Sequence, residues 1–312
     1  MEIDYRSKDS HKHIKERCKE ASEFRQDIIS PDNETNLVVR LTPTLVVKYG
    51  PGVMRAEACA LEFATKNLNH DIVKVPSFVQ FFTSQVGGSL IGYLVMAFVE
   101  GTTLDRSAEI PATLVRKILD AMSHIHSFTR AVPGPLDGGP ARGLLWSEDG
   151  TGQILDTPTK LQEYIDIRIR RGNHSLVDFT NSTLCLCHMD IAPRNIIVDS
   201  RGVICLLDWG CAGFYPSSFE TWSIVFEAHL RYHPLAAQLA SLSPWMQRHQ
   251  SNAARLPHST KFSLRTNALH CTDGHLCRKN FRTNACHSHH PGRQEETYSI
   301  MRAALNQGSS CS

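Results

Sequence analysis

Residues Leu184 to Pro216 read LCLCHMDIAPRNIIVDSRGVICLLDWGCAGFYP, and the rest of the chain is interpreted around them. His188, Asp190 and Asn195 fall in the pattern HxDxxxxN, followed by short apolar runs and then Asp208-Trp209-Gly210. In kinase-type phosphoryl transfer, an Asp at the first position addresses the acceptor hydroxyl, while the Asn and the second Asp hold magnesium on the nucleotide phosphates. Each short motif is weak by itself; the spacing between them carries the signal.

That spacing has a physical basis. Ile196-Ile197-Val198 and Val203-Ile204-Cys205-Leu206-Leu207 are apolar runs of strand length, and Asp199-Ser200-Arg201-Gly202 between them is a turn-forming cluster. Together they predict a hairpin that folds the chain back and brings Asn195 and Asp208 to the same end. An amide oxygen and a carboxylate oxygen converging there suit a hard cation such as magnesium, which keeps several waters and takes few protein carboxylates. Asp190 lies on the loop that enters this end.

Upstream, Asp27-Ile28-Ile29, Asn36 to Leu41 and Thr44 to Tyr49 are β-rich runs separated by turn-like residues, which predicts a three-strand meander. Lys48, in the context Val46-Val47-Lys48, matches the strand lysine that pairs with nucleotide phosphates. The competing reading is a lysine that protects an edge strand. Val53 to Leu68 then shows helical spacing of its apolar residues, with Glu57 and Glu62 as the acids available to Lys48.

These segments resemble the aminoglycoside phosphotransferase family of kinase-like enzymes, especially its fungal members, whose corresponding stretch reads approximately HGDLHPRNI, a strand pair, DWE or DWG, and GFYP. Here stand His188-Met189-Asp190-Ile191-Ala192-Pro193-Arg194-Asn195-Ile196, then Asp208-Trp209-Gly210, then Gly213-Phe214-Tyr215-Pro216. The likeness spans about residues 25 to 245, and Met189 and Ala192 depart from the family's usual Gly and His.

The resemblance implies an α+β, two-lobed protein-kinase-like fold with a small β-rich N-lobe and a larger, mainly helical C-lobe. It implies ATP- and magnesium-dependent transfer of a phosphoryl group to a hydroxyl of a small molecule, with Asp190 as the catalytic base or hydroxyl-orienting group and Asn195 and Asp208 on the metal. It selects Glu57 over Glu62 as the partner of Lys48, because Glu57-Ala58-Cys59-Ala60-Leu61 matches the family's ExxAL pattern. It makes Met96 to Gly101 the connector between lobes, where Ala97 offers a carbonyl and Val99 an amide to adenine and Met96 lines the pocket behind. The first turn of the meander, which covers the phosphates in the family, lacks a GxGxxG run and leaves Asn33, Asn36 and backbone amides for that task.

Further helices are predicted over Ala112 to Phe128, Pro158 to Arg171 and Phe219 to Tyr232, with a Pro/Gly-rich loop at residues 132 to 143. His124 and His126 flank the end of the first apolar stripe; with no ligand near them in sequence they read as satisfied histidines rather than a metal site. Residues 1 to 24 read as a polar segment with little to bury, 25 to 99 as the N-lobe, 100 to 245 as the C-lobe, and 246 to 312 as a basic tail.

A chain of 312 residues that is 41% hydrophobic and 21% charged has enough apolar material for a sizeable core. The net charge of +2 conceals an asymmetry, because residues 246 to 294 hold eight Lys or Arg and one acid. The body of the chain is therefore mildly acidic, which argues against nucleic acid as a partner. That tail also carries Cys271, Cys277 and Cys286, spaced too widely for the usual zinc pairs. The N-terminus lacks the apolar centre of a secretory signal, and no apolar run approaches the about 20 residues of a membrane span. The ten cysteines are scattered and several sit inside apolar strands, so they read as reduced, in a cytoplasmic protein.

The expected function is that of a small-molecule kinase. A catalytically impaired nucleotide-binding protein is the alternative, suggested by Met189, Ala192 and the missing glycine-rich turn. Neither the acceptor nor the oligomeric state is written in these motifs.

Overall fold

The computed structural model describes residues 3–31, 34–106, 110–146, 150–170, 178–231 and 234–243. All of these belong to the first of two units, Met1–Thr266; the second, Asn267–Ser312, lies outside the described residues, as do Asn33 and the tail predicted from residue 246.

Helix α1 (Ser10–Phe24) precedes strands β1 (Leu37–Arg40) and β2 (Leu45–Gly50), helix α2 (Arg55–Asn67), and strands β3 (Phe78–Val86) and β4 (Ser89–Ala97). The four strands form one antiparallel sheet in the order β1-β2-β4-β3. β2 is therefore an inner strand, and Lys48 at its centre is not an edge-protecting lysine. Asp27-Ile28-Ile29 contributes only an isolated bridge, Ile28 to Val39, instead of a third meander strand. Asp27 has a left-handed backbone (φ 60°) that interrupts extension.

α1 corrects the expectation of a segment with little to bury. Ile14, Cys18 and Ala21, spaced on one helical face, are buried against Val39, Val47, Tyr93 and Val95 of the sheet. Full burial of Ile14 alone is worth about 1.5–3 kcal/mol. His11 stacks on Phe82 at 3.7 Å between ring centroids, and Arg17 pairs with Asp27 at 2.8 Å. Charged residues fill the remaining faces, so a stripe of three apolar positions, two of them small, is hard to see in the sequence.

The second lobe continues with β5 (Thr102–Thr103), α3 (Ala112–His126), β6 (Thr129–Arg130), β7 (Gly134–Pro135), α4 (Pro158–Arg170), β8 (Leu184–Cys187), β9 (Ile196–Val198), β10 (Ile204–Leu206), β11 (Gly213–Pro216), α5 (Ser217–Arg231) and α6 (Leu235–Leu242). The chain thus folds as the α+β, two-lobed arrangement expected, strand-rich first and helix-rich after. β9 and β10 form the expected hairpin, with β5 on its other edge, and β6-β8-β11-β7 form a second small sheet. Gly101 lets the connector cross this hairpin closely, since a Cβ there would meet Ile197 Cγ2 at 2.3 Å. A continuous core joins Ala58, Leu61 and Leu94 of the first lobe to Ile118, Met122 and Ile196 of the second.

Asp199 ties the hairpin turn to the first lobe. Its Oδ1 accepts the amides of Arg201 and Val203 at 2.9 and 2.8 Å, and its Oδ2 pairs with Lys74. Lys74 also exchanges backbone hydrogen bonds with Ile204 and Leu206, each at 2.9 Å. The Lys74 ammonium, followed by the Val203 amide, holds the Asp199 carboxyl well below the usual carboxylate range. A depressed folded pKa contributes stability above the unfolded value that is lost as pH falls through the folded one. Asp199→Ala is therefore expected to lower the thermal midpoint at neutral pH, with the gap to wild type narrowing in acid. A gap independent of pH in paired melting curves would show that the carboxylate charge contributes nothing.

Candidate active site

Lys48 points from the inner strand β2 into the cleft side of the sheet and meets two carboxylates. Its Nζ lies 2.7 Å from Glu57 Oε1 and 3.0 Å from Asp208 Oδ1. Glu57 sits in the first turn of α2 with a side chain only 5% exposed, whereas Asp208, just after β10, is 43% exposed and opens outward. Glu62, the other acid considered for Lys48, pairs with Lys66 at 2.6 Å on the surface.

Burial alone would lower the Lys48 pKa, but the charges of Asp208 and Glu57 outweigh it and hold the ammonium protonated. Burial raises the Glu57 carboxyl despite Lys48, while at Asp208 the lysine overcomes burial and the pKa falls. Gly210 leaves room for both acids, since a Cβ there would stand 3.2 Å from Asp208 Oδ1 and 3.6 Å from Glu57 Oε2.

The loop from His188 to Asn195 leaves β8 and enters β9. Pairing of β8 with β11 aligns Cys187 with Gly213 and Leu184 with Pro216, so the HMD and GFYP segments lie side by side. Met189 adopts a left-handed backbone (φ 65°), the conformation for which glycine is the easier residue. A non-glycine residue there costs roughly 1–2 kcal/mol. Met189, where the resemblance points to a Gly, therefore takes a conformation that suits that residue. Glu220, from α5, holds it: its Oε2 accepts the His188 amide at 2.7 Å and its Oε1 the Met189 amide at 2.8 Å. Ser223 Oγ donates to the Met189 carbonyl, and the Met189 side chain is buried beside Trp146, Tyr215 and Trp222. His188 donates through Nε2 to the Leu207 carbonyl at 2.9 Å and meets Trp209 edge to face at 4.7 Å.

Asp190 projects from this loop into a dense set of donors. Arg194 Nη2 reaches its Oδ1 at 2.6 Å and its Oδ2 at 2.9 Å, and Asn195 Nδ2 reaches its Oδ2 at 2.8 Å. Arg194 is held from behind by Glu227. Burial raises the Asp190 pKa, Arg194 opposes that, and the charge of Asp208 adds to it. Cys211, one residue past the DWG motif, feels the same field: burial and then the charges of Asp190, Asp208 and Glu57 push its thiol strongly up, so it is protonated.

The structure thus brings Lys48, Glu57 and Asp208 into direct contact and places Asp190 against Asn195. Met96 and Ala97 end β4, and Val99 follows it in the connector. Asn36 is committed elsewhere, its Oδ1 accepting the Gly52 amide at 2.9 Å, and so stitches the strand entrance to the turn before α2. Sequence reasoning missed Glu220, Arg194 and Glu227. Arg194 was visible inside the motif, four residues after Asp190, but Glu220 and Glu227 are helix acids with no local mark. Glu220→Gln keeps one acceptor and turns an amino group toward the other buried amide, at a cost of about 1–3 kcal/mol for the unsatisfied donor. Chemical denaturation should show that loss; an unchanged midpoint would remove Glu220 as the holder of the loop.

A sequence search of curated proteins returns no match. Among solved structures, the chain is similar to aminoglycoside phosphotransferase APH(4)-Ia at 14% identity, covering 80% of this chain and 86% of that one with a TM-score of 0.47. A thermostable mutant of that protein, in ternary complex with AMP-PNP and hygromycin B, aligns at 14% identity over 76% and 83% with a TM-score of 0.48. A GDP and kanamycin complex of APH(2")-IIia aligns at 16% identity over 78% and 87% with a TM-score of 0.46. A family model described as "Phosphotransferase enzyme family" matches residues 28–261, well over half of the sequence and including every residue of the site described above, and the chain belongs to that family.

Proposed function

We propose that this phosphotransferase moves the γ-phosphoryl group of ATP to a hydroxyl of a small molecule, with magnesium as the metal, in the cytoplasm. The observation that carries the reading is the Lys48 ammonium, held by Glu57 at 2.7 Å and by Asp208 at 3.0 Å across the two lobes. In this reading residues 25–99 form the nucleotide-binding lobe and 100–245 the lobe that binds the acceptor. Met96, Ala97 and Val99 line the adenine edge, Lys48 holds phosphate oxygens, and Glu57 positions Lys48.

Asn195 and Asp208 would hold the magnesium ion. Their donor set, an amide oxygen and a cleft-facing carboxylate, fits a hard cation, and the Asn195 nitrogen is already spent on Asp190, which leaves its oxygen for the ion. When bound, magnesium supplies positive charge against the oxygens of the transferred group.

Asp190 addresses the acceptor hydroxyl. Its Oδ2 takes hydrogen bonds from both Arg194 and Asn195, whereas its Oδ1 takes one, from Arg194. A carboxylate oxygen offers about two lone-pair sites. Oδ1 is therefore the oxygen with a site to spare for the hydroxyl, and the one that receives its proton as the new bond forms. Arg194 sets the carboxylate plane and so positions this oxygen. The left-handed backbone at Met189, a conformation that suits glycine, supports the catalytic reading over a non-catalytic one.

An assay of ATP consumption across a library of hydroxylated metabolites, with magnesium present and withheld and GTP in parallel, tests the proposal. Consumption no greater than that of Asp190→Asn with every acceptor would sink it. Asp190→Asn is expected to leave nucleotide binding intact and lower transfer by about 10²- to 10⁴-fold, the range for a positioned general base. Asp208→Asn removes a full charge from the metal site and should weaken magnesium-dependent nucleotide binding as well as rate. The opposite pattern would exchange the two roles.

Arg194→Gln is expected to lower kcat by about 10- to 100-fold through misorientation of Asp190, with the KM for nucleotide unchanged. Arg194→Lys should restore part of the loss, since it keeps the charge but not the planar fork. Equal kcat in all three proteins would deny Arg194 a positioning role.

A further inference from the structure

One face of β8 carries two thiols. Cys185 and Cys187, two residues apart on one strand, place their Sγ atoms 3.8 Å from each other. Two sulfurs bound to one tetrahedral zinc ion at about 2.3 Å each stand roughly 3.8 Å apart. The last turn of α3 brings His126 to the same point, and its ring nitrogen and both sulfurs all lie within 4.8 Å of one another. Glu220 Oε2 is 3.6 Å from His126 Nε2. Read along the chain, His126 has no ligand near it; the fold supplies two thiols from β8.

We propose that His126, Cys185 and Cys187 form a zinc site, with the Glu220 carboxylate beside the histidine. Two thiolates and an imidazole are a borderline-soft set that favours zinc over the hard ion of the cleft. Two thiolates balance the charge of the dication, and binding releases their protons to solvent. The surroundings are dry and closed: Cys187 is fully buried, Cys185 is 5% exposed, and Trp146, Tyr215, Phe219 and Trp222 belong to the same cluster. The thiols also approach the Tyr215 carbonyl at 3.5 and 3.7 Å, contacts that two ordinary buried cysteines would make and that metal binding would replace.

The ion would act on the fold. It would clasp the end of α3 to the strand that feeds the catalytic loop, beside Glu220, which holds the amides of His188 and Met189. The site does not depend on which group the enzyme phosphorylates.

The test is metal analysis of the full-length protein, expressed with zinc available, followed by replacement with cobalt(II). A companion variant with Cys271, Cys277, Cys286 and Cys311 all changed to Ser removes the cysteines of the tail. About one equivalent of zinc in both proteins, and a thiolate-to-cobalt charge-transfer absorption in both that His126→Ala and Cys185→Ser each diminish, is the expected result. Absence of metal, loss of metal with the tail cysteines, a cobalt spectrum without thiolate absorption, or one unchanged by His126→Ala would each overturn the proposal. Should Cys185→Ser fail to fold, the cobalt spectrum of the tail variant and its response to His126→Ala still decide the question.

Discussion

One ammonium shared between two carboxylates holds the two lobes in register. Lys48 comes from the centre of a sheet, Glu57 from the first turn of a helix packed on that sheet, and Asp208 from the end of a hairpin in the other lobe. Only the lysine and Glu57 are sealed from water, so their mutual attraction is strong while either alone would be an uncompensated buried charge. Asp208 is the exposed member, and its charge is the one a ligand cation meets first. With one positive charge against two negative ones, the group carries an excess of negative charge, and Asp190 nearby adds to it. A cleft of this polarity is poised for cations before it is poised for phosphate.

The hairpin, the strand lysine and the helices were legible because each depends on local patterning. Ile196 to Leu207 alternates apolar strands with a turn cluster, and the structure pairs Ile196 with Leu206 and Val198 with Ile204 as that pattern requires. The contact of Lys48 with Glu57 spans nine residues and needed the family's ExxAL pattern to separate Glu57 from Glu62. What was not legible depends on distance along the chain. Glu220 and Glu227 lie 32 and 33 residues from the partners they hold, with only ordinary helical acids to mark them. The first strand of the meander failed for a local reason, the left-handed backbone at Asp27, and α1 was misjudged because cysteine and alanine carry much of its buried face.

Met189 illustrates how a left-handed backbone conformation is held without the glycine that makes it easy. The turn is over-determined: two amides are gripped by one carboxylate, the following carbonyl is gripped by Ser223, and the methionine side chain fills an aromatic pocket. The strain of the left-handed conformation is small beside these contacts. The conformation therefore belongs to the site as a whole, and residue identity at this position is a poor guide to whether the loop is intact.

The family match begins at residue 28, whereas α1 ends at Phe24. The helix thus lies outside the recognisable family region while covering one face of its first sheet. A protein started at the family boundary would present Val39, Val47, Tyr93 and Val95 to water on a single antiparallel surface, together with the Phe82 ring that His11 now covers. Contiguous apolar surface of that kind invites self-association. In choosing where to begin an expression clone, the fifteen residues of α1 belong with the sheet they cover, and Tyr5, which packs against the same cluster, belongs with them.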